Sequence, residues 1–203
     1  MTVPLRYSVT EMKSLPRIDL KTPLSEKEIR RLSIGDIVFL SGTIATARDQ
    51  AHLRAIKETR RGKPIPVDFK QVALYHCGPI VRRVGDAWSV IAAGPTTSYR
   101  MENVEAEFIE LFGVRMIIGK GGMGQKTAKA LRKFGAVYCD FTGGAALLAA
   151  KAIVVVEDVA WLDLGVPEAI WRFSVKDFGP LLITMDSAGN NYRDKIGAQD
   201  IEI

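Results

Sequence analysis

The sequence predicts an α/β fold with a mixed sheet, and three observations carry that expectation. From Arg100 onward the chain reads helix, strand, helix, strand, helix, strand, with apolar strand runs at 114–118, 136–138 and 153–157. Repeated αβ units imply parallel strands joined by right-handed crossovers. The middle of the chain is β-rich, with short runs at 72–75, 80–84 and 88–92 and a Gly85-Asp86 turn between the last two. Finally, two loops, Gly94-Pro95-Thr96-Thr97-Ser98-Tyr99-Arg100 and Gly119-Lys120-Gly121-Gly122, each follow an apolar run and precede a helical pattern. At 203 residues the chain reads as a single domain, 1–203, long enough to bury a substantial core.

Taken in order, residues 1–24 read as an N-terminal arm or strand. Leu5, Tyr7 and Val9 alternate with polar residues, and Pro16 and Pro23 break the pattern. Ser25-Glu26-Lys27-Glu28 has the capping-box spacing for a short helix over 26–32. A compact strand follows at 37–40. The stretch Ser41 to Asp49 then leads into a helix ending near Arg60, closed by Gly62 and stopped by Pro64 and Pro66. Ala51, Ala55 and Ile56 are placed on its inner face. Pro95 ends the run before it, and Thr97 or Ser98 is placed to cap a helix whose apolar face holds Val104, Phe108 and Leu111. Helices at 125–134 and 145–151 follow, the second beginning near Gly143-Gly144. The tail returns to strands at 169–175 and 181–185.

Composition narrows the function classes. Hydrophobic residues make up 47% and charged residues 25%, ordinary values for a water-soluble globular protein. The net charge of +5, from 28 basic and 23 acidic residues, suits an acidic ligand. The basic residues are scattered among Glu and Asp, and the one dense cluster, with Lys57, Arg60 and Arg61, reads as a solvated helix end. Cys77 and Cys139 lie in apolar surroundings without CxxC spacing, so buried free thiols are the default and a disulfide the alternative. With two cysteines and two histidines, His52 and His76, no zinc or iron–sulfur ligand set is expected from this chain alone. The start lacks the apolar stretch of a signal peptide, and no run approaches the roughly 18 apolar residues of a membrane span. A cytoplasmic protein without membrane or nucleic-acid partners is expected.

The two loops carry the functional reading. Thr96 and Arg100 fall around a helix N-terminus, where free N–H groups and the helix dipole favour an anion. Lys120 sits in a second loop of the same kind. Each residue also has a bland reading. Lys120 can be a solvated turn residue, Thr96 and Thr97 capping residues, Arg48 and Asp49 an ion pair at a helix start, and His52 a satisfied core or surface histidine. The glycine loop matches neither a Walker loop nor the GxGxxG order of a dinucleotide site.

Their combination resembles a known family. Ser41-Gly42-Thr43-Ile44-Ala45-Thr46-Ala47-Arg48-Asp49-Gln50-Ala51-His52 is similar to the SGT-x-x-x-ARD-x-AH segment of the β part of class I fumarate hydratases and of the related L-tartrate dehydratase β subunits. Gly94 to Met101 resembles their GPTT-x-x-RM motif, and Ile118-Gly119-Lys120-Gly121 their lysine-bearing loop. Gly143-Gly144-Ala145-Ala146 and Leu164 to Trp171 are similar to two further segments. The resemblance runs from about Leu32 to Tyr192. Tyr99 stands where the family has a small residue, and Gly122-Met123 replaces a more polar stretch.

What the resemblance implies is specific. The fold would be a swivelling β/β/α domain. The activity would be that of a hydro-lyase β subunit, interconverting fumarate and (S)-malate, with L-tartrate dehydration as the alternative. A [4Fe–4S] cluster, ligated by a partner α subunit, would act on the substrate hydroxyl. Arg48, Arg100 and Lys120 would bind the carboxylates of a C4 dicarboxylate, Arg in the bidentate manner its planar fork allows. Thr96 would be the base, with Lys120 beside it in the catalytic set. Asp49 and His52 would support the loop. The assembly would be a hetero-oligomer, two α and two β chains being one arrangement. A rival of another class is a non-catalytic module holding phosphate or RNA through the basic loops, though these lack the interleaved aromatics of RNA binders.

Overall fold

The computed structural model describes residues 16–142 and 144–197. The expected alternation at Leu5, Tyr7 and Val9, and Gly143, lie outside them. Strand β1 (Arg17–Lys21) pairs in parallel with β2 (Ile37–Thr46), so this part of the arm is a sheet strand. Between them, Ser25 and Glu28 close both halves of the capping box on helix α1 (Glu26–Ile29), which is one turn and stops short of the expected Leu32.

Four parallel strands form the centre. β2 pairs with β3 (Ala73–Tyr75), β3 with β6 (Met116–Gly119), and β6 with β7 (Val137–Asp140). The connections are helices α2 (Asp49–Arg60), α3 (Glu102–Phe112) and α4 (Gln125–Phe134). Between β3 and α3 lies the separate hairpin of β4 (Ile80–Val84) and β5 (Ala87–Ala92). Helix α5 (Ala146–Ala152) and strand β8 (Ile153–Ala160) follow β7. The chain returns in β9 (Ile170–Met185), and α6 (Tyr192–Gly197) is the last element described. β9 runs antiparallel to β2, β7 and β8. Pairing with both β2 and β7 makes it the strand that closes β2-β3-β6-β7-β9 into a ring.

Period-two alternation divides the strands between two cores. Ala73, Tyr75, Met116, Ile118, Val137 and Cys139 point to the side of Trp171, Phe173 and Phe178. Their neighbours Leu74, Ile117 and Tyr138 point to the layer of α2, α3 and α4, against Ala51, Phe108 and Leu131. The hairpin covers one end of the first core, with Trp88 edge-on to Trp171 at 5.2 Å between ring centroids.

Five expectations change. The strand at 37–40 continues to Thr46, because Gly42 takes a φ of +105° and lets the strand bend under Thr22, whose hydroxyl accepts from Thr43 N at 2.6 Å. The two tail strands are one 16-residue strand, with register shifts against β2 absorbing the irregular stretch. Among the described residues β8 pairs only with β9, antiparallel, and does not extend the parallel run. The helix after Pro95 begins with a 3₁₀ turn, Ser98–Met101, and neither Thr97 nor Met101 makes a side-chain cap. Leu111 is 39% exposed; the buried face of α3 holds Glu105, Phe108, Ile109 and Phe112 instead. Among the described residues, no helix is long and apolar enough to cross a membrane.

Candidate active site

Several residues singled out from the sequence lie where a parallel strand ends and its following segment begins, whereas Thr96 and Arg100 follow β5 of the antiparallel hairpin and His52 lies within α2. Arg48 precedes α2 at the end of β2, His76 follows β3, Lys120 follows β6, and Asp140 ends β7. The carboxyl ends of parallel strands are where α/β folds, open or closed, place their ligands. Backbone bonds lock the segments together. Thr96 N donates to His76 O at 2.7 Å, His76 N to Ile118 O at 2.8 Å, and Ser98 N to Lys120 O at 3.0 Å, beside a parallel bridge between Thr97 and Lys120.

The cations then acquire resident partners. The Arg100 guanidinium grips Asp49 with two hydrogen bonds, Nε to Oδ1 at 3.2 Å and Nη2 to Oδ2 at 2.9 Å, and Nη2 also donates to Thr96 Oγ1 at 3.0 Å. Thr96 and Arg100, one turn apart, are thus coupled by a hydrogen bond from a cation to the threonine oxygen. Arg48 Nε lies 3.1 Å from Glu168 Oε1, although this N–H is not aimed at the oxygen. Glu168 Oε2 accepts from Gln50 N at 2.9 Å, so this carboxylate sits over the start of α2. Lys120 is half-buried and, among the described residues, takes part in no ion pair. The structure therefore brings Arg48, Thr96, Arg100 and Lys120 to one edge of the sheet, two of the cations braced and one free.

The glycine loop differs from expectation. A free helix N-terminus for an anion was expected there, but the protein's own Glu102 occupies it. Oε2 accepts from Gly124 N at 2.7 Å and Thr127 Oγ1 at 2.6 Å, and Oε1 from Lys126 N at 2.9 Å. Charge and orphan N–H groups at the start of α4 are thereby satisfied from within. Gly119 has a packing reason: a Cβ there would overlap Ser98 Oγ. Gly122 likewise gives room to the Arg193 guanidinium, which reaches Asp140 at 3.0 Å. Tyr99 projects outward, 61% exposed.

Beneath this edge lies a buried polar cluster the sequence did not announce. His52, His76 and Glu105 are each fully buried. His52 Nδ1 donates to Arg48 O at 2.8 Å, and His76 Nδ1 lies 2.9 Å from Ser98 Oγ, which accepts from Tyr138 OH at 3.0 Å. Burial alone would raise the Glu105 carboxyl, but the neighbouring His76 and His52 hold it down at about 2. Burial lowers His76; for His52 the nearby carboxylate outweighs burial and raises it. The α3 spacing hid Glu105, which sits on the apolar face between Met101 and Phe108. Only its position three residues before Phe108 was a signal.

The site geometry can be set beside known proteins. A family model described as fumarase C-terminus matches residues 3–196. The chain belongs to the fumarase C-terminus family. It is 45% identical over 172 residues to the L(+)-tartrate dehydratase subunit beta of Escherichia coli K12, covering 85% of this chain and 84% of that one. It is 43% identical over 180 residues to a putative L(+)-tartrate dehydratase subunit beta of Methanocaldococcus jannaschii, covering 88% and 92%. A putative class I fumarate hydratase of Geobacillus stearothermophilus is 42% identical over 186 residues, which is 91% of this chain but 35% of that longer one. As a member of the fumarase C-terminus family, the chain matches relatives that exist both as a separate subunit and as part of a larger chain.

Proposed function

We propose that this chain is the β subunit of a two-subunit hydro-lyase, and that the edge holding Arg48, Thr96, Arg100 and Lys120 binds a C4 dicarboxylate. The observation that carries the reading is the Arg100 triad of contacts: a guanidinium fixed by Asp49 and donating to Thr96 Oγ1. A cation at that oxygen lowers the cost of an alkoxide, the form of threonine able to take a proton from the carbon next to a carboxylate. Lys120 supplies the uncommitted positive charge for one carboxylate, and the second carboxylate binds over Arg48 and Arg100. The resident carboxylates keep both arginines oriented before substrate arrives, so little ordering remains to be done on binding. Two surface grooves of about 530 Å³ lie between the helices, one lined by Glu107, Glu110 and Lys133 and the other by Ile56, Arg60 and Val104. None of the four site residues lines either groove, which fits a site completed by a second chain.

The cluster implied by the class I resemblance does not fit this chain's own ligands. Cys77 and Cys139 are fully buried, and burial pushes both thiols up, away from the thiolate an iron would need. The [4Fe–4S] group is therefore assigned to the partner α subunit of a hetero-oligomer, for which two α and two β chains is one arrangement. Fumarate and (S)-malate are the first substrate pair. L-tartrate is the second reading, favoured by the names of relatives that match this chain along nearly all of their own length. The experiment is anaerobic co-expression with the α partner, followed by dehydration assays on (S)-malate and on L-tartrate. Turnover of malate supports the first reading, and turnover of tartrate alone moves the substrate while keeping the chemistry. An intact complex active on neither would sink the proposal.

A further inference from the structure

The buried cluster beneath the site leaves four polar atoms unaccounted for. Glu105 Oε2 lies 3.3 Å from His52 Nε2 and 3.2 Å from His76 Nε2. Those separations are within hydrogen-bond range, yet neither ring N–H direction is aimed at the carboxylate. Both Nε2 atoms and both Glu105 oxygens are left without a hydrogen-bond partner. Direction decides here, because a hydrogen bond weakens steeply off axis. Each buried polar group without a partner costs about 1–3 kcal/mol, so four at one point call for an occupant.

The remaining ring atoms show what kind of occupant. Arg48 O can only accept, so His52 must carry its proton on Nδ1, which leaves Nε2 with a lone pair in the neutral ring. Ser98 Oγ pairs with His76 Nδ1; a hydroxyl can accept as well as donate, so the contact is compatible with the Nδ1–H form that leaves a lone pair on Nε2. A histidine with one nitrogen tied to a carbonyl or hydroxyl and the other turned to a shared centre has the arrangement of a metal ligand. The spacing agrees as well. Bonds of about 2.0–2.1 Å in a tetrahedral zinc site give ligand-to-ligand edges of about 3.3–3.4 Å, against the 3.2 and 3.3 Å found. The third edge, between the two Nε2 atoms, is within 4.8 Å, and an ion would draw them in to about 3.3–3.4 Å.

We propose that His52 Nε2, His76 Nε2 and the Glu105 carboxylate form a structural site for a zinc-type divalent ion. Two imidazoles and one carboxylate suit zinc, whereas magnesium and calcium require an oxygen shell that this apolar pocket lacks, with the Phe108 ring 4.3 Å from His52. Full burial makes the site closed, with three protein side chains as its ligands. The count of two histidines and two cysteines missed it because the third ligand is a glutamate from another element. The ion would pin α2, the end of β3 and α3 together. It would thereby hold the Arg48 carbonyl and the Ser98 hydroxyl, one in and one beside the residues of the proposed substrate site. The inference stands independently of the hydro-lyase reading.

The test uses the full chain without an α partner, so that cluster iron does not enter the count. The chain is refolded with zinc, gel-filtered and analysed for metal, then melted with and without chelator. The expected result is one zinc per chain, absent from His76→Gln and Glu105→Gln. As a control independent of the folding of those variants, the wild-type chain is also loaded with cobalt, where visible absorption of a tetrahedral ion is expected. Chelation should lower the wild-type melting temperature by about 8 °C or more relative to free zinc at ~1,000 times its Kd. A folded wild-type chain holding less than a tenth of an ion, with no zinc-dependent melting shift, overturns the proposal. Zinc retained by a folded His76→Gln chain overturns it too. In the first case the cluster is a buried His52–Glu105 ion pair; in the second the ion is held elsewhere.

Discussion

Glu102→Ala separates a helix cap from a ligand site. The native carboxylate, 8% exposed, accepts from Gly124 N, Lys126 N and Thr127 Oγ1 at 2.6–2.9 Å and from Thr127 N at 3.3 Å. Hydrogen bonds to a charged group are worth about 1.5–3 kcal/mol each. Four such bonds do not add, since the exposed end of α4 can take up water once the carboxylate has gone. Removal of a helix cap costs about 0.5–2 kcal/mol, and partial burial puts this case at or above the upper end, at about 2–3 kcal/mol. For a chain of this size that is about 4–12 °C in melting temperature. Urea denaturation followed by tryptophan fluorescence and circular dichroism reads it directly. The variant also opens the α4 N-terminus to anions, so phosphate should stabilise Glu102→Ala more than it stabilises wild type. A loss below about 0.5 kcal/mol, or no difference in phosphate response, refutes the capping argument. Because Glu102 ties the start of α3 to the Lys120 loop, the complex carrying this variant should show a raised KM.

Three further outcomes follow from the same geometry. Arg100→Lys keeps the charge but loses the two-point grip on Asp49; the complex should lose at least ~100-fold in kcat/KM, measured by dehydration kinetics, because the lysine cannot hold Asp49 and Thr96 together. Gly119→Ala places a Cβ against Ser98 Oγ and the Tyr138 hydroxyl, so denaturation should show a loss of about 1–3 kcal/mol from overpacking. Cys77 and Cys139 should be silent to a thiol reagent in the native chain and both react after denaturation, giving two thiols per chain; reaction of either under native conditions would contradict their burial.

The sequence carried the local rules well and the long-range ones poorly. The α4 helix, 125–134, and the Ser25–Glu28 capping box were legible because cap, period and stop lie within a dozen residues. The tail was not, because Gly179-Pro180 reads as a break in isolation. In the fold, β9 runs through it, since β2 pairs with Phe178 before the break and with Leu181 after it. Ser41-Gly42-Thr43 read as a loop for the same reason. At the site, the cations at strand ends were visible as Arg48, Arg100 and Lys120. Their partners were only partly visible. Asp49 was suspect as a neighbour of Arg48, yet it holds Arg100 from 51 residues away. Glu168 approaches from 118 residues beyond Gln50. Glu102 was hidden for a different reason: a carboxylate just after a helix start reads as a surface charge. No local pattern says that it will reach across to cap another helix.

The account's central claim is that Thr96, activated by Arg100, moves the proton. The direct measurement is exchange of the substrate C3 proton with deuterated solvent, followed by NMR in the anaerobic complex, for wild type, Thr96→Ser and Thr96→Ala, with substrate binding measured in parallel. The account predicts exchange in wild type, a partial rate in Thr96→Ser, and a loss of at least ~1,000-fold in Thr96→Ala while the substrate still binds. Exchange in Thr96→Ala within tenfold of wild type would show that another group takes the proton, leaving Thr96 a loop residue held by Arg100.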